Sequence, residues 1–239
     1  MKWLETLVQY AHANLQGDRE LEALWERGAS DEQIRDFRIG YLDKQLPLLQ
    51  NAQEFYSWYG FNKSKLLDVF VFPLTNALGQ VKGLQFRRVE RRAKGYLDYL
   101  PVKDEPAFFG LSQAMPHVWK TRTICLVEGA FDHFPVQRVF PNTVPTMTSS
   151  VSTAFYRFLR RNVQEVWFCY DMDSAGRKGV WEFLESYRLE FKRILHPQLP
   201  RLVAVNGRLT KDPGELWECL GDDQFRMRLK TAFEGVCYA

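Results

Sequence analysis

The first part of the chain, residues 1 to about 38, has the spacing of apolar residues that is typical of helices. Four of these residues recur at i, i+3, i+4 and i+7 and therefore share one helical face: Leu4, Leu7, Val8 and Ala11. Ser30 is followed three residues later by Gln33, which is the signature of a capping box. The pattern predicts a short helix that begins after Ser30 and ends near Gly40.

The middle of the chain changes to the pattern of strands. Residues 66–74 are mostly apolar and predict a strand that stops at Pro73. Residues 76–79 supply a turn, and residues 80–89 predict a second strand. The two strands therefore form a β-hairpin, and we expect residues 1–120 to be a smaller α+β subdomain.

Strand and helix patterns alternate from residue 121 to residue 206. We expect strands at 123–128, 142–148, 165–171 and 201–205, and helices at 130–140, 152–162 and 174–195. This order predicts an α/β domain with a parallel, Rossmann-like sheet that is covered by helices on both faces. Residues 207–239 are expected to be a C-terminal helical segment.

The composition indicates a folded protein but does not by itself indicate its function. The 239 residues are 46% hydrophobic and 26% charged, which is ordinary for a folded protein. The net charge of +3 is too small to indicate a nucleic-acid partner unless the positive charges are clustered. The four cysteines form no CxxC pair, and the chain shows neither a signal peptide nor an apolar run of membrane-spanning length. We therefore expect a cytoplasmic location.

A cluster of positive charge does follow the predicted hairpin. Five basic residues fall within eight positions: Arg87, Arg88, Arg91, Arg92 and Lys94. One interpretation is a solvated sheet edge whose charge prevents aggregation. The other is an electrostatic track for single-stranded nucleic acid, with Phe86, Tyr96 and Tyr99 available to stack bases.

Acidic residues stand where the strands of the predicted parallel sheet end. They are Glu128, Asp132, Asp171, Asp173 and Asp212. Ligands of an open parallel sheet bind beyond the carboxyl ends of its strands. An aspartate after a strand is usually a turn former or a helix cap, and Asp212 before Pro213 has the pattern of an N-cap. Five carboxylates at one edge, however, require a cation, and Mg²⁺ or Mn²⁺ suits such oxygen ligands.

The acidic segments resemble a known family. LVEGAFD, CYDMDSAG and KDPGEL are similar to the Toprim domain of bacterial-type primases, type IA and type II topoisomerases and some nucleases. WERGASDEQIRDFRIGYL and DVFVFPLTNALGQVKGLQFRRV resemble the N-terminal part of the primase polymerase core. The resemblance covers roughly residues 20 to 220, and it favours primases over the other Toprim proteins.

The resemblance implies roles for individual residues. Glu128 matches the Toprim glutamate, a general acid/base or metal-organising residue, while Asp171 and Asp173 match the principal metal ligands. Asp132 and Asp212 match further acids of the metal site. The residues expected to bind nucleic acid or nucleotide are Arg87, Arg88, Lys94, Arg177 and Lys178. For Arg177 and Lys178 a solvated helix face is an equal alternative.

The chain also departs from the family pattern. Gly214 stands where a second acid is expected, with Glu215 next to it, and Val69 or a neighbour replaces an arginine before the FP strand. The zinc-binding module of the family is not found in this sequence. The C-terminal helical subdomain is short or missing, and so is any helicase or helicase-binding domain. We therefore expect an excised core, a phage or plasmid variant, or a protein whose partner supplies those parts.

The resemblance implies a DNA primase that makes short RNA primers on single-stranded DNA from ribonucleoside triphosphates. Two alternatives stay open. The same metal site would also serve a Toprim nuclease, and a chain that lacks the zinc and helical parts could be a non-catalytic module that binds single-stranded DNA or the replisome. A replicative helicase, or a separate zinc-binding component, is the expected protein partner.

Overall fold

The fold consists of two compact units. A computed structural model describes residues 2–43, 46–90, 96–100, 106–204 and 207–235. The first unit comprises Met1–Glu26 and Ser30–Phe109, and the second comprises Arg27–Ala29 and Gly110–Ala239. Among the helices of the described residues, none has the combination of length and apolar character that a membrane crossing requires.

The first unit packs helices against a four-stranded antiparallel sheet. Its helices are α1 (Lys2–Asn14), α2 (Asp18–Trp25), α3 (Asp31–Asp36) and α4 (Gln53–Asn62), and its strands are β1 (Gly40–Leu42), β2 (Val69–Thr75), β3 (Val81–Arg88) and β4 (Tyr96–Tyr99). The strand order is β1-β2-β3-β4, so the predicted hairpin is confirmed as β2 and β3. The apolar face of α1 is buried, as its spacing predicts.

The predicted start of α3 is also confirmed. The Ser30 hydroxyl accepts a hydrogen bond from the Gln33 amide at 3.1 Å, and the Gln33 side chain accepts one from the Ser30 amide at 3.1 Å. The prediction that the hairpin strand stops at Pro73 is wrong, because β2 continues to Thr75. Strand β1 reaches along β2 only as far as Val71, so the missing N–H of Pro73 leaves no strand hydrogen bond unmade on that edge.

The second unit has the predicted α/β architecture. Its helices are α5 (Leu111–Thr121), α6 (Ala130–Val139), α7 (Thr153–Asn162), α8 (Ser174–Tyr187) and α9 (Pro213–Glu234, kinked at Gly221), and its strands are β5 (Thr123–Val127), β6 (Thr143–Pro145), β7 (Glu165–Phe168) and β8 (Arg193–Leu195). All four strands are parallel, in the order β6-β5-β7-β8. Helix α5, like α4 and β4 in the first unit, has no counterpart in the sequence prediction.

Helices cover both faces of this sheet. On one face α6 and α9 enclose a core that includes Cys125 of β5, and the rings of Trp167 and Phe233 stack with centroids 5.3 Å apart. On the opposite face Phe168 of β7 contacts Phe183 of α8, with ring centroids 5.1 Å apart. Successive residues of one strand therefore face different helices, as a sheet buried on both faces requires.

The predicted position of the fourth strand is wrong. Residues 193–195, expected in a long helix, form β8, and the Arg193 side chain pairs with Glu165 of β7 at 2.8 Å. The helix ends at Tyr187 and is followed by the short 3-10 helix Arg188–Glu190. Residues 201–204 of the expected strand are not in the sheet, and Val203 is 69% exposed. Short apolar runs are compatible with either a helix or a strand, and pairing with β7 makes residues 193–195 a strand.

Candidate active site

The candidate site lies where the direction of the sheet connections changes. From β5 the chain crosses to β6 on one side, and from β7 it crosses to β8 on the other side. The crevice beyond the carboxyl ends of β5 and β7 is therefore the switch point at which open parallel sheets bind ligands. Glu128 directly follows β5, and Asp171 follows β7 by three residues.

Three carboxylates from different parts of the second unit meet at this crevice. Asp132, Asp171 and Asp212 each have one carboxylate oxygen within 4.8 Å of those of the other two, and all three side chains are partly buried. We call these residues the acidic triad. Among the predicted metal ligands, these are the three that the structure brings to one point.

Backbone amides hold two members of the triad. The Asp132 carboxylate accepts hydrogen bonds at 3.2 Å from the amides of Gly129 and Gly214, so it connects the start of α6 to the start of α9. Asp212 caps α9 by accepting the Glu215 amide at 2.7 Å, as its position before Pro213 predicts. Gly129, the N-cap residue of α6, has extended dihedral angles.

Glu128 lies beside the triad rather than within it. Its Oε1 atom accepts the backbone amide of Asp171 at 3.1 Å. A Cβ atom at Gly176 would lie 2.5 Å from that Oε1 and 2.2 Å from the Asp171 carbonyl oxygen. The first turn of α8 can therefore approach the two acids only because residue 176 is glycine. The signal for this role in the sequence is the glycine three residues after Asp173, which was not predicted to have it.

Asp173 has a different position from the one its match to the family implies. Its side chain is exposed, and its Oδ1 atom accepts the amides of Ala175 and Gly176, both at 2.9 Å. It therefore caps α8 and is not a member of the acidic triad. Its role as a metal ligand stays a prediction.

Three acids of the site, Asp171, Asp132 and Glu128, have raised pKa values. Burial, together with the charges of Glu128 and Asp212, raises the pKa of Asp171 to about 8. Burial, together with Asp212 and Asp171, raises the pKa of Asp132 well above its ordinary value. Burial likewise raises the pKa of Glu128. Three carboxylates that resist ionisation in one crevice require either protons or a cation.

A lysine that the sequence analysis did not select lies at the triad. The Lys211 Nζ atom is 3.4 Å from Asp212 Oδ2 and 3.8 Å from Asp171 Oδ2. Burial lowers the pKa of Lys211, but the two aspartates outweigh this effect, and the pKa is raised overall. A lysine directly before a capping aspartate carries no sequence signal that separates it from an ordinary solvated lysine.

The acidic triad fits a small divalent cation. Its ligand atoms are hard carboxylate oxygens, which Mg²⁺ and Mn²⁺ prefer. Within the described residues, Asp171 Oδ1 is buried and has no hydrogen-bond partner, which is costly unless another group satisfies it. A cation bound by the triad would satisfy this atom and offset the repulsion among the three acids.

The basic candidates of the second unit lie on the first turns of α8. The Arg177 guanidinium donates to the Met172 carbonyl oxygen in the loop that carries Asp171. Lys178 is 73% exposed and pairs with Glu182 at 3.6 Å. Both positions are compatible with phosphate binding and with a solvated helix face, so the two interpretations stay open.

Two of the basic candidates of the first unit, Arg87 and Arg88, lie on β3. Arg88 donates to the Ser64 carbonyl oxygen at 2.8 Å, and Arg87 is partly buried near Asp98. Lys94, together with Arg91 and Arg92, lies outside the described residues. The expectation that Phe86 and Tyr99 stack bases is wrong, because they are 2% and 7% exposed and belong to the core. Their strand positions turn them inward.

Comparison with known proteins agrees with this geometry. A family model described as Toprim-like matches residues 125–206. The chain is 28% identical to a DNA primase of Legionella pneumophila over 206 residues, which are 77% of this chain and 35% of that protein. It is 27% identical to a DNA primase of Chlamydia trachomatis, covering 73% of this chain and 32% of that protein. The chain thus spans about a third of the length of these curated relatives.

Solved structures share the fold. The RNA polymerase domain of Mycobacterium tuberculosis primase DnaG superposes with a TM-score of 0.73 at 18% identity, covering 96% of this chain and 82% of that one. The zinc-binding and RNA polymerase domains of Aquifex aeolicus primase give 0.72 at 20% identity, covering 96% and 60%. A DnaG catalytic domain bound to single-stranded DNA gives 0.70 at 22% identity, covering 97% and 78%. Residues 125–206 are therefore similar to the Toprim-like family, and the chain has the fold of the bacterial-type primase catalytic core.

Proposed function

We propose that this chain is the catalytic core of a DNA primase, which synthesises short RNA primers on single-stranded DNA from ribonucleoside triphosphates. The observation that carries the proposal is the acidic triad, which lies at the switch point of a parallel sheet within a primase-core fold. Because the chain spans about a third of its curated relatives, the activity of the whole protein is inferred from this part. The relatives named above are bacterial, which gives no support to a phage or plasmid origin.

The acidic triad would hold Mg²⁺ or Mn²⁺ in this reaction, with Asp173 as a further ligand implied by the family match. A bound divalent cation would neutralise negative charge on the triphosphate and favour departure of pyrophosphate. The chain's own contribution is to fix the carboxylates beforehand. Asp132 and Asp212 are each held by amides at the starts of helices, so their oxygens need little reordering when the site is loaded.

Glu128 is the proposed proton acceptor. In primer extension the 3′-hydroxyl oxygen bonds to the α-phosphorus, pyrophosphate leaves, and the hydroxyl proton must go to a base. Glu128 lies next to Asp171 and has a raised pKa, which suits a group that accepts a proton and later returns it to water. Gly176 supports this role because it leaves room for the Glu128 carboxylate.

The basic residues would hold the phosphates of nucleotide and template. Arg177 and Lys178 follow the loop of Asp171 and are the candidates for the triphosphate, while Arg87, Arg88 and Lys94 are the candidates for the template backbone. Binding of single-stranded DNA by a catalytic domain of the same fold supports a template partner. A replicative helicase, or a separate zinc-binding component, is the proposed protein partner.

Primer synthesis tests the proposal directly. The purified chain is incubated with single-stranded DNA, labelled ribonucleotides and Mg²⁺ or Mn²⁺, and the products are separated on a sequencing gel. We expect a ladder of short RNA from the wild type, none from Asp171→Asn, and an unchanged ladder from Asp223→Asn, which removes an exposed charge on α9. Labelled DNA alone is incubated in parallel. Cleavage of that DNA without a ladder would favour a nuclease, and binding without either reaction would favour a non-catalytic module.

A further inference from the structure

Lys211 is held in place by its backbone. Its amide donates to Glu215 Oε2 at 2.8 Å, and its carbonyl oxygen accepts the Met172 amide at 2.6 Å. The first bond ties the residue to the start of α9, and the second ties it to the loop that follows β7. The root of the side chain is therefore fixed between two segments that also carry members of the acidic triad.

The ammonium group of Lys211 lies against the acids. It is 3.4 Å from Asp212 and 3.8 Å from Asp171, whose side chains are only 17% and 16% exposed. The Lys211 side chain itself is 51% exposed, so it can turn outward into water. The same carboxylates therefore have two competing cations, a tethered ammonium and any divalent ion that enters.

We propose that Lys211 is a built-in counter-ion of the acidic triad and that it sets the affinity for the divalent cation by competing with it. The inference rests on the proposed function, in which the triad holds such an ion. A divalent cation on these oxygens would place two further positive charges within a few ångströms of Nζ. Like charges at that separation repel strongly in a partly buried site, so the ammonium must leave when the metal binds.

Lys211 gives the acidic triad a counter-ion when no metal is bound. With Lys211 in place, the triad is partly neutralised, and the starts of α6 and α9 do not depend on metal to remain together. The same charge weakens metal binding, so the cation would load reversibly rather than stay as a permanent structural ion. Removal of the lysine charge should therefore tighten metal binding.

Direct metal titration tests this inference without any nucleotide. Mn²⁺ is added to protein stripped with EDTA, and free Mn²⁺ is measured by electron paramagnetic resonance. We expect Lys211→Met to bind about 10-fold more tightly than the wild type at low ionic strength. Lys211→Arg keeps the charge and should stay within about 3-fold of the wild type. Lys230→Met, the same charge change on an exposed lysine near the end of α9, is the matched control and should bind like the wild type.

The salt dependence provides a second readout. The difference in Mn²⁺ affinity between Lys211→Met and the wild type should decrease as ionic strength rises, because salt screens the half-exposed charge of Lys211. Equal or weaker Mn²⁺ binding by Lys211→Met would overturn the inference while leaving the proposed function intact. If no protein, including the wild type, bound Mn²⁺, both the inference on Lys211 and the proposed function would be overturned. The primer assay would then also show no RNA synthesis.

Discussion

Asp171→Asn should make the metal-free protein more stable at neutral pH. An aspartate carboxylate ordinarily has a pKa of 3.8. In the folded chain, burial and acidic neighbours raise the pKa of Asp171 to about 8. Folding therefore favours the protonated acid, and ionisation costs free energy. That cost appears as the pH rises above the unfolded value near 4, grows through neutral pH, and is complete above about pH 8.

The magnitude follows from the same values. Each pH unit between the unfolded pKa and the working pH is worth about 1.4 kcal/mol, so the cost reaches at most about 4 kcal/mol at pH 7. Asparagine removes this charge but buries an amide where Asp171 Oδ1 has no hydrogen-bond partner among the described residues. An unsatisfied amide costs about 1–3 kcal/mol, so we expect a net gain of about 1–3 kcal/mol at pH 7.

Thermal unfolding in EDTA measures this effect. For a protein of this size about 1 kcal/mol shifts the midpoint by roughly 2–4 °C. Asp171→Asn should unfold at a higher temperature than the wild type at pH 8, and this difference in unfolding temperature should decrease toward pH 4.5. Excess Mg²⁺ should reverse the order, because a bound ion stabilises only the chain that binds it. Asp223→Asn, which removes an exposed charge on α9 away from the triad, should show neither effect. A difference that is the same at both pH values would refute the electrostatic reasoning.

Three further outcomes test the geometry of the second unit. Gly176→Ala should lower the free energy of unfolding by about 2 kcal/mol, because its Cβ would lie 2.2 Å from a carbonyl oxygen. Gly60→Ala places its Cβ in open space and should be neutral or stabilising. Denaturant titration of the two variants measures the difference. Asp212→Ala should lose about 1 kcal/mol more stability than Asp212→Asn in EDTA, because asparagine still caps α9. Iodoacetamide at pH 8 should modify exposed Cys219 and leave Cys125 intact until unfolding, since burial raises the pKa of the Cys125 thiol to about 12; peptide mapping reads both sites.

Local patterns predicted the elements whose signal is strong over several residues. The spacing around Leu4, the capping box at Ser30 and the alternation from residue 121 onward are each decided by nearby positions, and the structure confirms them. The edge at which the acids gather also followed from topology alone, because parallel strands bring their carboxyl ends together.

Long-range contacts decided what the sequence patterns could not. Residues 193–195 read as helix, yet pairing with β7 makes them a strand. Phe86 and Tyr99 lie beside a basic run, yet their sheet positions turn them into the core. Lys211 also contacts Asp171, which is 40 residues away along the chain, and Gly176 lies against Glu128, which is 48 residues away. A local sequence pattern does not indicate such long-range contacts.

Several acids of the site also hold the ends of helices, and this has a consequence for how such a chain can change over time. Asp212 caps α9, Asp173 caps α8, and Asp132 binds the amides at the starts of α6 and α9. A descendant that no longer needed catalysis would still be selected to fold, and loss of these side chains would weaken it. Drift should therefore favour asparagine or serine at the capping positions over apolar residues. Retained acids in a diverged copy would consequently be weak proof that the copy is still an enzyme, whereas loss of Glu128, which caps no helix here, would be more informative.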